Sequence, residues 1–186
     1  MRSAGVAALL VAGLALVGCT APTATPTTAP SASANASAAP VTALGALHPV
    51  FPDPVSDTSV EKESTRVADA IQALIASPAV VHVDDHARLV PATSTNGRYY
   101  GILRTVTVDA SLDPIAQTTA MAKLLVAAGW IERQTGSDTG KYLDALASGT
   151  DATRSWFVIV GADSTDSSSP VVTIQLASPD LGPPTQ

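Results

Sequence analysis

His82-Val83-Asp84-Asp85-His86 is a stretch in which metal-ligating residue types recur at alternate positions. Side chains of a β-strand alternate between its two faces, so His82, Asp84 and His86 would share one. Two imidazoles and a carboxylate are a plausible Zn²⁺ donor set. A fourth ligand would have to come from elsewhere, and His48 is the sole other histidine. Two readings without chemistry compete and are the stronger. Asp84-Asp85 can form the turn of a hairpin joining 80–83 to 87–90, since Asp is a turn former, or the strand carries a solvated polar face.

Other chemistry is thin. No serine stands in Gly-x-Ser-x-Gly, and no glycine-rich phosphate loop is present. Asp163 and Asp166 offer oxygens, but their loop lacks the spacing and terminal Glu of an EF-hand and reads as solvated. Trp130, Trp156, Tyr99 and Tyr100 could form a stacking platform for a sugar or peptide. Trp130 follows a helix end and Trp156 opens an apolar strand, which favours packing between layers over ligand contact. Neither a metal nor any other cofactor is expected.

The elements that must position these residues follow from apolar spacing. Residues 60–76 read as a helix, with Val60, Val67, Ile71, Leu74 and Ile75 on one side, Thr58 or Ser59 as cap and Pro78 as stop. Residues 112–128 read as a second helix, opened by Asp113-Pro114 and closed at Gly129, with Ile115, Thr119, Leu124, Leu125 and Ala128 inward. Segments 80–83, 87–90, 99–108, 156–160 and 171–176 read as strands, another begins at Trp130-Ile131, and 141–147 reads as a short helix after a polar turn at 136–140. Strands in runs between helices predict an α+β two-layer sandwich, an antiparallel sheet with two main helices on one face. Residues 65–68 with 106–111 are loosely echoed by 118–121 with 172–178, which raises an internal duplication of αβ type.

The clearest signal lies at the start. Arg2 precedes an apolar run from 6 to 17 that ends in Leu16-Val17-Gly18-Cys19, and Cys19 is the only cysteine. Twelve residues would span roughly 18 Å as a helix, against a hydrocarbon core of about 30 Å. The run therefore suits a signal peptide, not a membrane span. Leu16-Val17-Gly18-Cys19 resembles the lipobox of bacterial lipoproteins at all four positions. The resemblance implies that the Cys19 thiol is diacylated, that cleavage follows Gly18, and that Cys19 becomes the mature N-terminus. Two acyl chains hold stably where one does not.

Residues 19–48 carry Ala, Thr, Ser and Pro with no Asp, Glu, Lys or Arg, and read as a disordered tether. The 28 residues from Thr20 to Leu47 would reach at most about 90 Å as polyproline II, or roughly 30 Å as a coil. Residues 49–179 are one domain's worth of chain, and 180–186 read as a disordered tail. Loss of residues 1–18 removes one arginine, leaving 9 basic against 16 acidic residues, a formal charge of −7. Such a surface, without a basic run, is a poor partner for nucleic acid.

The expected protein is thus a lipid-anchored lipoprotein on the extracytoplasmic face of the cell membrane. Its noncatalytic domain would bind an envelope protein, peptide or glycan through a sheet face or edge. The alternative is a metal-assisted extracytoplasmic enzyme using His82, Asp84 and His86.

Overall fold

A computed structural model describes residues 41–92 and 96–183; the segments read as signal peptide and tether up to residue 40, with Cys19, lie outside the described residues. Helices α1 (Val41–Leu47), α2 (Asp57–Gln72) and α3 (Pro114–Ala127) accompany six strands: β1 (Val80–Ala92), β2 (Gly97–Val108), β3 (Ile131–Asp138), β4 (Lys141–Ala147), β5 (Phe157–Asp163) and β6 (Val171–Ala177). All pairings are antiparallel, in the order β1-β2-β6-β5-β4-β3. With α2 and α3 packed on the sheet, the chain is an α+β two-layer sandwich.

Local chemistry sets the helices. Ser56 caps α2: its Oγ accepts from Ser59 N–H at 3.1 Å, and Ser59 Oγ accepts from Ser56 N–H at 2.9 Å, a reciprocal capping box. The helix therefore starts three residues earlier than its apolar pattern suggests, and Val60, Ser64, Val67, Ala68 and Ile71 form the buried stripe. In α3, Asp113 Oδ1 accepts from the N–H groups of Ile115 at 2.9 Å and Ala116 at 3.1 Å. Pro114 occupies the first turn, where its missing N–H costs nothing. Gly129 follows with φ of +100°, a conformation that suits a residue without Cβ.

Several expectations need correction. β1 is one continuous strand, so Asp84-Asp85 is not a turn: Asp84 pairs with Thr105 and Asp85 with Arg104 of β2. Residues 141–147 are strand, not helix. The chain reverses at Thr139-Gly140, where Gly140 has φ of +73°, and β4 is hydrogen-bonded between β3 and β5, which outweighs the helix preference of its Leu and Ala residues. The inward side of α3 is Pro114, Thr118, Met121, Ala122 and Leu125, so only Leu125 of the expected set is fully buried.

The boundaries shift as well. Leu47 is buried and Leu44 packs on the core, so the folded part begins within the segment read as tether. At the other end Leu181 N–H donates to Arg98 O at 2.7 Å and Arg98 Nη1 donates to Gly182 O at 3.0 Å, which fastens 181–182 to β2 instead of leaving a free tail. Two strands follow α2 and four follow α3, so the two halves do not repeat one another.

Candidate functional site

The register places the residues singled out above. His82, Asp84 and His86 lie on one face of β1, all exposed, with His86 Nε2 3.4 Å from Asp84 Oδ1. Residues four apart on a strand are about 13 Å apart along it, so His82 and His86 cannot close on one ion. Among the described residues no group of three His, Cys, Asp or Glu side chains could hold a metal. The solvated polar face is what the structure contains.

Nor do the aromatic residues form a platform. Trp130 is buried and its Nε1 donates to Leu47 O at 2.9 Å; Trp156 is buried and its Nε1 donates to Ser64 Oγ at 3.0 Å. Tyr100 is buried on the helix side, with its hydroxyl 3.3 Å from Glu61 Oε1. Each tryptophan satisfies its N–H inside the core, as a buried indole requires. Only Tyr99 belongs to the opposite, open side. Asp163 accepts from Thr165 N–H at 2.9 Å and from its hydroxyl, and Lys141 Nζ lies 3.2 Å away; together these hold its carboxyl down at about 2. Its oxygens close a local turn.

A sheet face was expected to bind; the residues that compose it were not named by the sequence. Helices cover the side bearing Val106, Ile174 and Val160, and the other side carries lateral rows set by strand pairing. One row runs Arg88, Gly101, Ala177, Phe157 from β1 through β2 and β6 to β5. The next runs His86, Leu103, Gln175, Ile159, and continues to Ala145 of β4. The third includes Thr105, Thr173, Gly161 and Leu143, ending at Gly136 of β3.

Small residues make hollows in this surface. Gly101 and Ala177 floor a trough of about 430 Å³, flanked by Tyr99 and Val90 on one side and by Leu103 and Ile159 on the other, with Phe157 at its end. Gly161 and Gly136 floor a neighbouring hollow of about 470 Å³ around Leu143. Ile159 and Gln175 border both, so the two form one continuous stretch of surface. Leu103 is 39% and Phe157 44% exposed. A Cβ on Gly101 would lie 3.2 Å from Val90 Cγ2 and 3.4 Å from Tyr99 Cε2, so glycine lets those side chains close the trough wall.

Comparison with protein-family models, with curated proteins and with solved structures gave no match. The site must therefore be read from its own chemistry. Charged groups of the open face sit at its margins: Asp84, His86 and Arg88 on β1, and Asp138, Lys141 and Asp163 at the far corner. Its centre offers apolar walls, the Gln175 amide and threonine hydroxyls. That composition suits contact by desolvation, with few polar groups to orient a ligand.

A signal for this face was present in β5, where Phe157 and Ile159 alternate with Val158 and Val160. A strand apolar on both sides needs cover on both. The described helices that pack on the sheet cover one.

One buried carboxylate lies on the helix side. Asp144 is 2% exposed, its Oδ1 has no hydrogen-bond partner among the described residues, and Tyr142 donates to its Oδ2 at 3.3 Å. Burial, with Glu132 nearby, pushes its carboxyl above the usual range. Asp144 is buried under the helix layer and lines neither hollow.

Proposed function

We propose that this protein is a lipid-anchored lipoprotein of the extracytoplasmic membrane face, whose noncatalytic domain binds an apolar ligand, a peptide side chain or an acyl group, on its open sheet face. The observation that supports this is the paired hollow over Gly101, Ala177 and Gly161, walled by exposed Leu103 and Phe157 and left uncovered by the described helices. Large apolar residues concentrated on an uncovered face mark an interaction site more often than they serve folding. The lipobox residues Leu16-Val17-Gly18-Cys19 supply the anchor.

The anchor is tested by Cys19→Ala, which releases the protein from the membrane fraction; persistent membrane retention overturns it. The binding face is tested by titrating an environment-sensitive apolar dye, 8-anilinonaphthalene-1-sulfonate, against the folded protein. Saturable binding that Leu103→Asp with Phe157→Asp weakens about tenfold or more, a loss of about 1.4 kcal/mol, is the expected result. Equal binding by wild type and the double variant, with both folded, overturns the assignment.

A further inference from the structure

The β1 edge carries a second property, independent of the hollows. Tyr100 O accepts from Ser178 N–H, and Val108 N–H donates to Pro170 O, so even-numbered residues of β2 turn their backbone groups toward β6. The odd-numbered ones turn toward β1, where their partners are His82, Asp84, His86, Arg88 and Val90. Backbone groups of an antiparallel strand alternate sides. Val83, Asp85, Ala87 and Leu89 therefore direct their N–H and C=O groups out of the sheet.

Sheet edges are usually blunted by proline, charge or bulges. On β3 a register shift between Glu132 and Gln134 interrupts the edge of an eight-residue strand. On β1 the register shift lies before His82 and Pro91 lies after Val90, so the nine residues between are unbroken. Pro91 occupies an outward-facing position, where its missing N–H breaks no bond to β2.

We propose that residues 82–90 pair antiparallel with the same residues of a second copy, about a two-fold axis through His86. In that register the outward-facing groups meet as Asp85 with Ala87 and Val83 with Leu89, each twice, and all four positions find backbone partners. On the open face Asp84 stands opposite Arg88 of the other copy, also twice. Among the described residues Arg88 enters no ion pair of its own, and the partner of Asp84 is only the exposed His86. An axis through Asp85 would pair Asp84 with His86 but face His82 with Arg88 and Asp85 with itself, and an axis through Ala87 would face His86 with Arg88. The axis at His86 sets only His86 against its own copy. Charge matching therefore selects the axis at His86, where opposite charges lie directly across the strands. The product is a continuous twelve-stranded sheet with both open faces on one side.

Sedimentation velocity of the purified full-length protein, from about 10 µM to about 1 mM, tests this. A reversible dimer is expected in wild type. Arg88→Asp and Asp84→Arg, each placing like charges across the axis twice, are expected to weaken it at least about tenfold. The double variant Asp84→Arg with Arg88→Asp restores opposite charges, and its dissociation constant is expected within about threefold of wild type. Wild type that stays monomeric at the highest concentration overturns the proposal. So do single variants that dimerise normally, or a double variant no better than the singles while all remain folded by circular dichroism.

Discussion

Trp156 Nε1 donates to Ser64 Oγ at 3.0 Å, tying the entrance of β5 to the middle of α2 with both residues buried. Two opposing effects meet at Ser64. Alanine is the better helix former, yet Ser64→Ala leaves a buried indole N–H unpaired, which costs about 1–3 kcal/mol. Desolvation outweighs propensity here, because helix preference differs by less than about 0.7 kcal/mol. Denaturant unfolding is expected to place Ser64→Ala at a net loss of about 1–2 kcal/mol, and a gain in stability would refute the weighting. Trp156→Ala, which empties the same place, is expected to cost about 3–5 kcal/mol.

Asp144 makes stability depend on pH in a defined direction. Its folded-state carboxyl titrates above the usual range, from burial first and the charge of Glu132 second. Protonated Asp144 is therefore favoured by folding. Its contribution is fully present below the ordinary carboxylate range, around pH 4, and is lost as pH rises through the raised value. Asp144→Asn keeps the shape without the ionisation. Unfolding free energies are expected to show the variant gaining on wild type as pH is raised from about 4 to about 8. A difference that stays constant, or shrinks, across that range would contradict the assignment.

Gly129 holds φ of +100°, and a Cβ there would stand 3.4 Å from His48 Cδ2. The contact is ordinary, so backbone strain dominates. Gly129→Ala is expected to lower stability by about 1–2 kcal/mol, read as a lower denaturant midpoint with an unchanged slope. An unchanged midpoint would mean that the turn between α3 and β3 relaxes freely.

These particulars explain which parts of the fold were legible in the chain. Asp113-Pro114 and Gly129 bracket α3 because caps are local chemistry, and β2 announces itself by β-branched residues. The buried side of α3 was not legible, because Ile115, Met121, Leu124, Leu125 and Val126 leave apolar groups around most of its circumference. Neither was β4, whose Leu-Asp-Ala-Leu-Ala suits a helix until β3 and β5 pair with it. Asp85 reads as a turn residue until Arg104, nineteen positions away, claims it. The open face was hidden for a related reason. Its rows join Gly101, Ala177 and Phe157 from three strands, and only knowledge of strand order makes them neighbours.

Arg104 itself yields the last expectation. Its side chain is 7% exposed on the helix side of β2, where Nε and Nη2 donate to Asp85 Oδ2 at 3.1 and 2.5 Å and Nη1 donates to Asp69 Oδ1 at 2.9 Å. The two carboxylates are not equivalent. Asp85 takes two bonds at 40% exposure, and Asp69 takes one at 62%. Solvent screens the Asp69 pair, as it does most exposed ion pairs, to about 0–1 kcal/mol. Loss of Asp85 instead strands two donors of a buried guanidinium. Asp85→Ala is therefore expected to cost about 1.5–3 kcal/mol, and Asp69→Ala less than about 1 kcal/mol. Raising salt should narrow the loss from Asp69→Ala before that from Asp85→Ala, because screening acts on exposed pairs more than on partly buried ones. Equal losses from the two variants would mean that the two carboxylates hold Arg104 alike, against the weighting by exposure.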